Sequence, residues 1–227
     1  RDCNVTYISS LGYGGLRTGW DISDSLLTVN TNNSQQSHNH MDQNSIQLAF
    51  NGSWLLSDTG YKDNAMTSQT YYQMQYTNTT IFVDGKPQVR KGQGTLSQVF
   101  NTHLYGYLLG SAPDAYGMED KQAVLNKFDR HMIMINHDSQ PYYIIIDDLD
   151  SNKDRNFGWN FYTNGWDRLE IDGVNVEEGK SGTGNHVTIA RFGCTLHAHF
   201  VGGKITSKES FYSGYGPTLT VESEKSK

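Results

Sequence analysis

Residues 37–61 read Ser-His-Asn-His-Met-Asp-Gln-Asn-Ser-Ile-Gln-Leu-Ala-Phe-Asn-Gly-Ser-Trp-Leu-Leu-Ser-Asp-Thr-Gly-Tyr. Ile46, Leu48 and Phe50 alternate with Gln47 and Ala49, the period of a half-buried strand. Asn51-Gly52 follows, a pair that tolerates the two positive φ angles of a type I′ turn, and Trp54-Leu55-Leu56 begins the return. The stretch is predicted as a β-hairpin, and antiparallel pairing makes neighbours of its two ends. His38, His40 and Asp42 stand before the first strand and Asp58 after the second. Such a convergence suits either a metal centre or an acid/base pair.

The same pattern recurs along the chain. Short apolar runs are predicted as strands at Leu26-Val29, Thr80-Val83, Leu104-Leu109, Met132-Ile135, Tyr142-Ile146, Phe157-Thr163, Val187-Phe192, Cys194-Phe200, Lys204-Ser207 and Thr218-Val221. Asp84-Gly85 and Asp172-Gly173 predict further hairpin turns. The acidic run Asp147-Asp148-Leu149-Asp150 reads as the polar cap and turn ending a buried strand, with calcium binding as the lesser option. More than ten strands without a helical period predict an all-β protein, a large antiparallel multi-sheet sandwich. No linker-like run divides the chain, so one domain over residues 1–227 is expected.

At 227 residues and 36% hydrophobic, the chain can bury a sizeable core, and its aromatic share of 12% is high. A formal net charge of −6 argues against a nucleic-acid partner. No run approaches the roughly 20 apolar residues of a membrane helix, so no membrane association is expected. The first residue is Arg and no signal-like segment follows, which reads as a mature or excised piece. The two cysteines, Cys3 and Cys194, have no zinc-knuckle or redox spacing; one long-range disulfide and two unpaired thiols are equally open.

His-x-His at 38 and 40 places both imidazoles on one side of an extended segment. His197 and His199 share that spacing, within a predicted strand and without an acidic neighbour in sequence, and read as a solvated sheet face. His103, His131, His137 and His186 are isolated and read as structural. No nucleophile elbow, phosphate loop, HExxH helix or cysteine centre is present, which leaves proton-transfer chemistry by His and Tyr.

The string His38-Asn39-His40-Met41-Asp42-Gln43-Asn44-Ser45, followed by Gly52, Leu55-Leu56 and Asp58-Thr59-Gly60-Tyr61, resembles the signature of the C-terminal β-domain of heparinase II/III-like polysaccharide lyases. Gly12-Tyr13 through Leu16-Trp20, Thr79-Gly85, Arg130-His131 and Tyr142-Asp148 also fit, so the resemblance covers essentially the whole chain. It implies a β-sandwich that is partnered by an N-terminal (α/α) helical toroid, with an acidic polysaccharide as substrate and a secreted or periplasmic bacterial location. It further implies β-elimination on a uronic-acid-containing polysaccharide, glycosaminoglycan-like or alginate-like: a base removes the C5 proton and the C4 oxygen leaves.

Residue by residue, the resemblance makes His38 the active-site histidine and His40 and Asp58 ligands of a structural zinc. Asp42 or Asn44 would stand behind those ligands. The family's third zinc ligand is a histidine, and this chain has Asn78 there, a poor ligand for zinc. The toroid is missing from the chain, and with it the family's catalytic tyrosine. Arg17, Asn44 and Tyr61 are the expected substrate-binding residues, Arg17 because a guanidinium pairs with a carboxylate in bidentate fashion. Its bland reading is a strand-edge surface charge. A non-catalytic carbohydrate-binding or structural module is the alternative, with uronate epimerisation a third option.

Overall fold

The computed structural model describes residues 5–32, 40–58, 77–89, 92–136, 141–163, 165–177, 181–201, 206–212 and 216–222. His38 and Tyr61 lie outside the described residues, as do Cys3 and His137. Among the described residues the regular structure is almost entirely antiparallel strand, with a short 3₁₀ turn at Pro113–Tyr116. The all-β expectation is met, and none of the helices described is long and apolar enough to cross a membrane.

The chain divides into two compact units, residues 1–52 with 88–153 and 227, and residues 53–87 with 154–226. In the first, β1 (Val5–Ile8), β2 (Tyr13–Arg17), β3 (Ser25–Asn30) and β4 (Ser45–Phe50) pair in chain order. A second sheet has the order β12-β11-β8-β7, built from β7 (Thr95–Asn101), β8 (Tyr105–Ser111), β11 (Leu125–Ile135) and β12 (Tyr142–Ser151), and the hairpin β9 (Met118–Glu119) and β10 (Gln122–Ala123) stands apart. The alternation predicted from sequence fills the space between these sheets: Leu16, Leu27, Val29, Ile46 and Leu48 from one side, Leu96, Leu108, Phe128, Met132 and Met134 from the other, all buried. Gly14 permits the close approach, since a Cβ there would meet Leu108 Cδ1 at 2.8 Å and Leu96 Cδ2 at 2.9 Å.

The second unit begins where Asn51 (φ 48°) and Gly52 (φ 74°) reverse the chain into β5 (Ser53–Leu56), the turn that Asn-Gly predicts. Its five-stranded sheet has the order β16-β19-β20-β13-β6, with β6 (Ile81–Val83), β13 (Phe157–Tyr162), β16 (Ser181–Thr183), β19 (Thr206–Tyr212) and β20 (Gly216–Glu222). A four-stranded sheet runs β15-β14-β17-β18, with β14 (Arg168–Ile171), β15 (Val174–Asn175), β17 (His186–Arg191) and β18 (Cys194–His199). Trp159, Phe161 and Phe200 pack edge to face, with ring centroids 4.6 to 6.1 Å apart.

Two local expectations need correction. Asp84 (φ 52°) and Gly85 (φ 71°) do form a tight turn, but only the single bridge Val83 to Lys86 follows it; the ladder partner of β6 is β13. Asp84 is instead occupied by its carboxylate, which accepts from Arg155 Nη1 at 2.8 Å and from the Asn156 amide at 3.0 Å. The acidic run Asp147–Asp150 is not a cap and turn. It continues β12 to Ser151 because β11 supplies a cation on each face, Arg130 opposite Asp147 and Lys127 beside Asp148.

Candidate functional site

The turn that carries His40 is built on buried polar side chains. Ser45 donates its amide to the Asp42 carbonyl at 2.9 Å, and Asn44 adopts φ 56°, a left-handed conformation that asparagine tolerates better than most residues. The Asn44 side chain is fully buried: Oδ1 accepts from Thr31 Oγ1 at 2.7 Å, and Nδ2 donates to the carbonyls of Gly110 at 3.2 Å and Phe128 at 3.4 Å. Its own carbonyl accepts from Arg130 Nη1 at 2.5 Å. Arg130, also fully buried, grips Asp147 with two bonds of 2.7 and 2.8 Å. Asn44 thus holds strands together beneath the turn, where the sequence places it at the substrate.

Gln43 is fixed just as firmly. Its amide donates to Gln88 Oε1 and its carbonyl accepts from Gln88 Nε2, both at 2.7 Å, so the Gln88 side chain replaces a neighbouring strand. Gln43 Oε1 in turn accepts the Asn32 amide at 2.8 Å. Asp42 Oδ2 accepts from Asn30 Nδ2 at 2.7 Å. His40, half-buried, sits one turn ahead of this framework. Of the fold-determining residues in it, Gln88 escapes motif reading, and Arg130 is reached only as part of the Arg130-His131 resemblance, without its role. One signal was present for Arg130: it occupies an inward position between Phe128 and Met132, where an apolar residue would otherwise stand.

Arg17 ends β2. Its Nη2 donates to Thr6 Oγ1 at 2.6 Å, and the guanidinium lies 3.3 Å from the ring centroid of Trp20. Trp20 is 73% exposed and sits on a loop shaped by Asp24, which accepts from Thr18 Oγ1 at 3.1 Å and from the Asp21 amide at 2.8 Å. The arrangement holds a planar cation against an exposed indole, which suits an anionic sugar: one group for the carboxylate, one face for the ring.

In the second unit the segments carrying Asp58 and Asn78 meet at the end of β13. Ser57 donates its amide to the Tyr162 carbonyl at 2.8 Å, and Thr79 Oγ1 donates to the Ser57 carbonyl at 3.4 Å and accepts the Tyr162 amide at 3.3 Å. Asp58 and Asn78 therefore flank two hydrogen-bonded residues. Asn78 is fully buried, its carbonyl accepting from Asn160 Nδ2 at 2.9 Å, which also closes the sequon Asn78-Thr79-Thr80 to glycosylation in the folded chain. Burial, and secondarily the charge of Asp58, pushes the Tyr162 phenol up to about 12, against a smaller opposing effect of Arg191. Among the described residues no three His, Cys, Asp or Glu side chains gather as a metal-holding group.

A single sequence family spans all of these segments: the model of the heparinase II/III-like C-terminal family matches residues 8–221. The chain belongs to that family. Its fold is similar to the crystal structure of Heparinase III, with a TM-score of 0.66 at 16% identity over 98% of this chain and 34% of that one. Heparan sulfate lyase HepC from Pedobacter heparinus aligns with a TM-score of 0.65 at 15% identity, over the same shares of the two chains. The chain thus spans about a third of the length of these solved relatives. No curated protein sequence matches it.

Proposed function

We propose that this chain is the β-sandwich part of a polysaccharide lyase that cleaves a uronic-acid-containing polysaccharide, glycosaminoglycan-like or alginate-like, by β-elimination. The family match over residues 8–221 carries the reading, and the likeness of fold to a heparan sulfate lyase supports it. In the reaction the C5 proton goes to a base, the C4–O4 bond breaks, and a C4–C5 double bond remains. The difficulty is the weak acidity of C5–H, and a cation or hydrogen-bond donor at the uronate carboxylate stabilises the enolate-like intermediate.

His38 is proposed as the contribution to proton transfer, with Arg17 and Tyr61 at the substrate. The geometry supports Arg17, whose guanidinium is fixed by Thr6 and backed by the exposed Trp20. Asn44, enclosed by its own bonds, is proposed to position the turn that begins at His40. A helical domain of the same polypeptide would supply the other wall of the cleft, and a secreted or periplasmic location suits a polymeric substrate.

The donor chemistry for zinc is partial. His40 and Asp58 are ordinary zinc ligands, and a hydrogen bond joins Ser57 and Thr79, the chain neighbours of Asp58 and Asn78. An amide oxygen at Asn78 is the weak member. These three residues are proposed to hold the ion, whose role would be to brace the loop carrying His38.

The test is an assay of the complete polypeptide on heparan, hyaluronan, chondroitin and alginate, following the ultraviolet absorbance of the unsaturated product. Activity lost in His38→Ala is expected; an inactive polypeptide would sink the lyase reading, and an active His38→Ala variant would sink the site. Asn78 favours one second reading, a carbohydrate-binding module without catalysis, in which the polysaccharide binds but no unsaturated product forms. Metal analysis is separate: stoichiometric zinc surviving Asp58→Ala would contradict the ligand set.

A further inference from the structure

The outer face of β17 and β18 carries three histidines that the reading above does not use. His186 lies opposite His199, and Thr188 opposite His197, so His186 and His197 are diagonal neighbours across the two strands. On the other side of β17, Glu170 lies opposite Thr188, and the Asp172 amide donates to the His186 carbonyl at 2.9 Å. Two rows result: Glu170, Thr188 and His197 in one, Asp172, His186 and His199 in the other. The sequence shows His-x-His at 197 and 199 but gives no hint that His186 joins them, since that contact arises from strand register.

His186 Nε2 and His197 Nδ1 face each other at 3.3 Å. Two imidazole nitrogens bound to one tetrahedral metal at the usual 2.0–2.1 Å stand about 3.3 Å apart. The His199 ring stacks on His186 with centroids 4.1 Å apart and planes 3° from parallel, which fixes the orientation of the His186 ring. Thr188 Oγ1 lies 3.3 Å from His197 Nδ1 and 3.5 Å from His186 Nε2, leaving the facing nitrogens on a polar, open surface. Asp172 Oδ1 is held by the amides of His186 at 3.0 Å and Asn185 at 3.3 Å, and with Glu170 gives the patch a negative field that attracts a cation. The strands are joined by the turn Phe192 (φ 49°) and Gly193 (φ 76°), so the chelating pair sits on a short, tight hairpin.

We propose that His186 Nε2 and His197 Nδ1 form a two-nitrogen surface site for a borderline divalent transition metal, Cu2+ most tightly, then Ni2+ or Zn2+, with water completing the coordination. The order follows the general affinity series for imidazole sites. In the metal-free protein the two nitrogens share a hydrogen; on binding, His186 carries its proton on Nδ1 and His197 on Nε2, and two neutral rings release no net proton. The site is independent of the lyase reading and shares no residue with the proposed zinc ligands. Bound metal would tie β17 to β18 and stabilise this sheet by mass action.

Titration of the protein with Cu2+ at pH 7, by calorimetry and by counting nitrogen couplings in the electron paramagnetic resonance spectrum, tests it. A bound ion with two imidazole nitrogens is expected; His197→Ala should weaken it by about tenfold or more and leave one nitrogen, a loss of about 1.4 kcal/mol per tenfold. His103→Ala, an exposed histidine of the other unit, should change neither readout. An unchanged affinity and nitrogen count in both His186→Ala and His197→Ala would overturn the proposal, as would loss of the two-nitrogen signal in His103→Ala. All three variants are read alongside circular dichroism, and the histidine side chains are sufficiently exposed to be removed without opening the core.

Discussion

Arg130 donates to the main-chain carbonyl of Asn44 at 2.5 Å, while the Asn44 side chain donates at 3.4 Å to the carbonyl of Phe128, two residues before that arginine. Strand and turn hold each other by reciprocal bonds. Replacing Arg130 by Met strands the Asp147 carboxylate and the Asn44 carbonyl together, and should cost about 3–5 kcal/mol in urea unfolding. The double change Arg130→Met with Asp147→Leu should recover part of that loss, because the orphaned charge goes with it.

Gly110 lies under the same asparagine. A Cβ there would stand 2.2 Å from Asn44 Oδ1 and 2.8 Å from Thr31 Oγ1. Gly110→Ala should therefore destabilise by about 1–3 kcal/mol, the usual range for overpacking. Combined with Asn44→Gly, the two losses should sum to less than their separate values, since the clash and its partner disappear together. Equal additivity in thermal or urea melts would contradict the contact.

Gln88 satisfies both main-chain groups of Gln43 at 2.7 Å with one amide. Gln88→Leu keeps the bulk and removes both bonds, leaving a buried donor and a buried acceptor. A cost of about 1–3 kcal/mol per unsatisfied group sets the scale. The amide of Gln43 should also lose protection in hydrogen exchange, whereas that of Met132 in the sheet core should keep it.

Burial pushes the Tyr143 phenol up to about 12, offset in part by its bonds with Ser25 and Leu27. The unfolded phenol titrates near 10.0, the ordinary value for tyrosine, so the folded form keeps its proton at higher pH. Its contribution is complete below pH about 10 and is lost as pH rises towards 12. Tyr143→Phe should flatten the decline in stability across that window, read from urea midpoints, at the expense of the 2.8 Å bond with Ser25 Oγ.

Local pattern made most strands legible. Ile46-Leu48-Phe50 became β4, and Asn51-Gly52 formed its turn because both residues tolerate positive φ without help from remote partners. What failed depended on remote partners. Asp147-Asp148 looks like a strand end until Arg130 is placed opposite Asp147 and Lys127 is ion-paired with Asp148, and Asp84-Gly85 looks like a hairpin until β13 takes the pairing. The segments of Asp58 and Asn78 meet through Ser57 and Thr79, whereas the partners of Asn44 other than Thr31 lie 66 to 86 positions away and leave no local trace. The strand β7 had no alternating pattern to announce it.

That separation bears on the order of assembly. Asn44 reaches Gly110, Phe128 and Arg130 across 66, 84 and 86 residues. Contacts of such span require loop closure before they repay its entropy, and proteins rich in them fold slowly. The β3 to β4 hairpin forms from neighbours, but the turn ahead of it takes its shape only when β8 and β11 have arrived. The segment bearing His40 is thus expected to be among the last to become native during synthesis and the first to report incomplete folding.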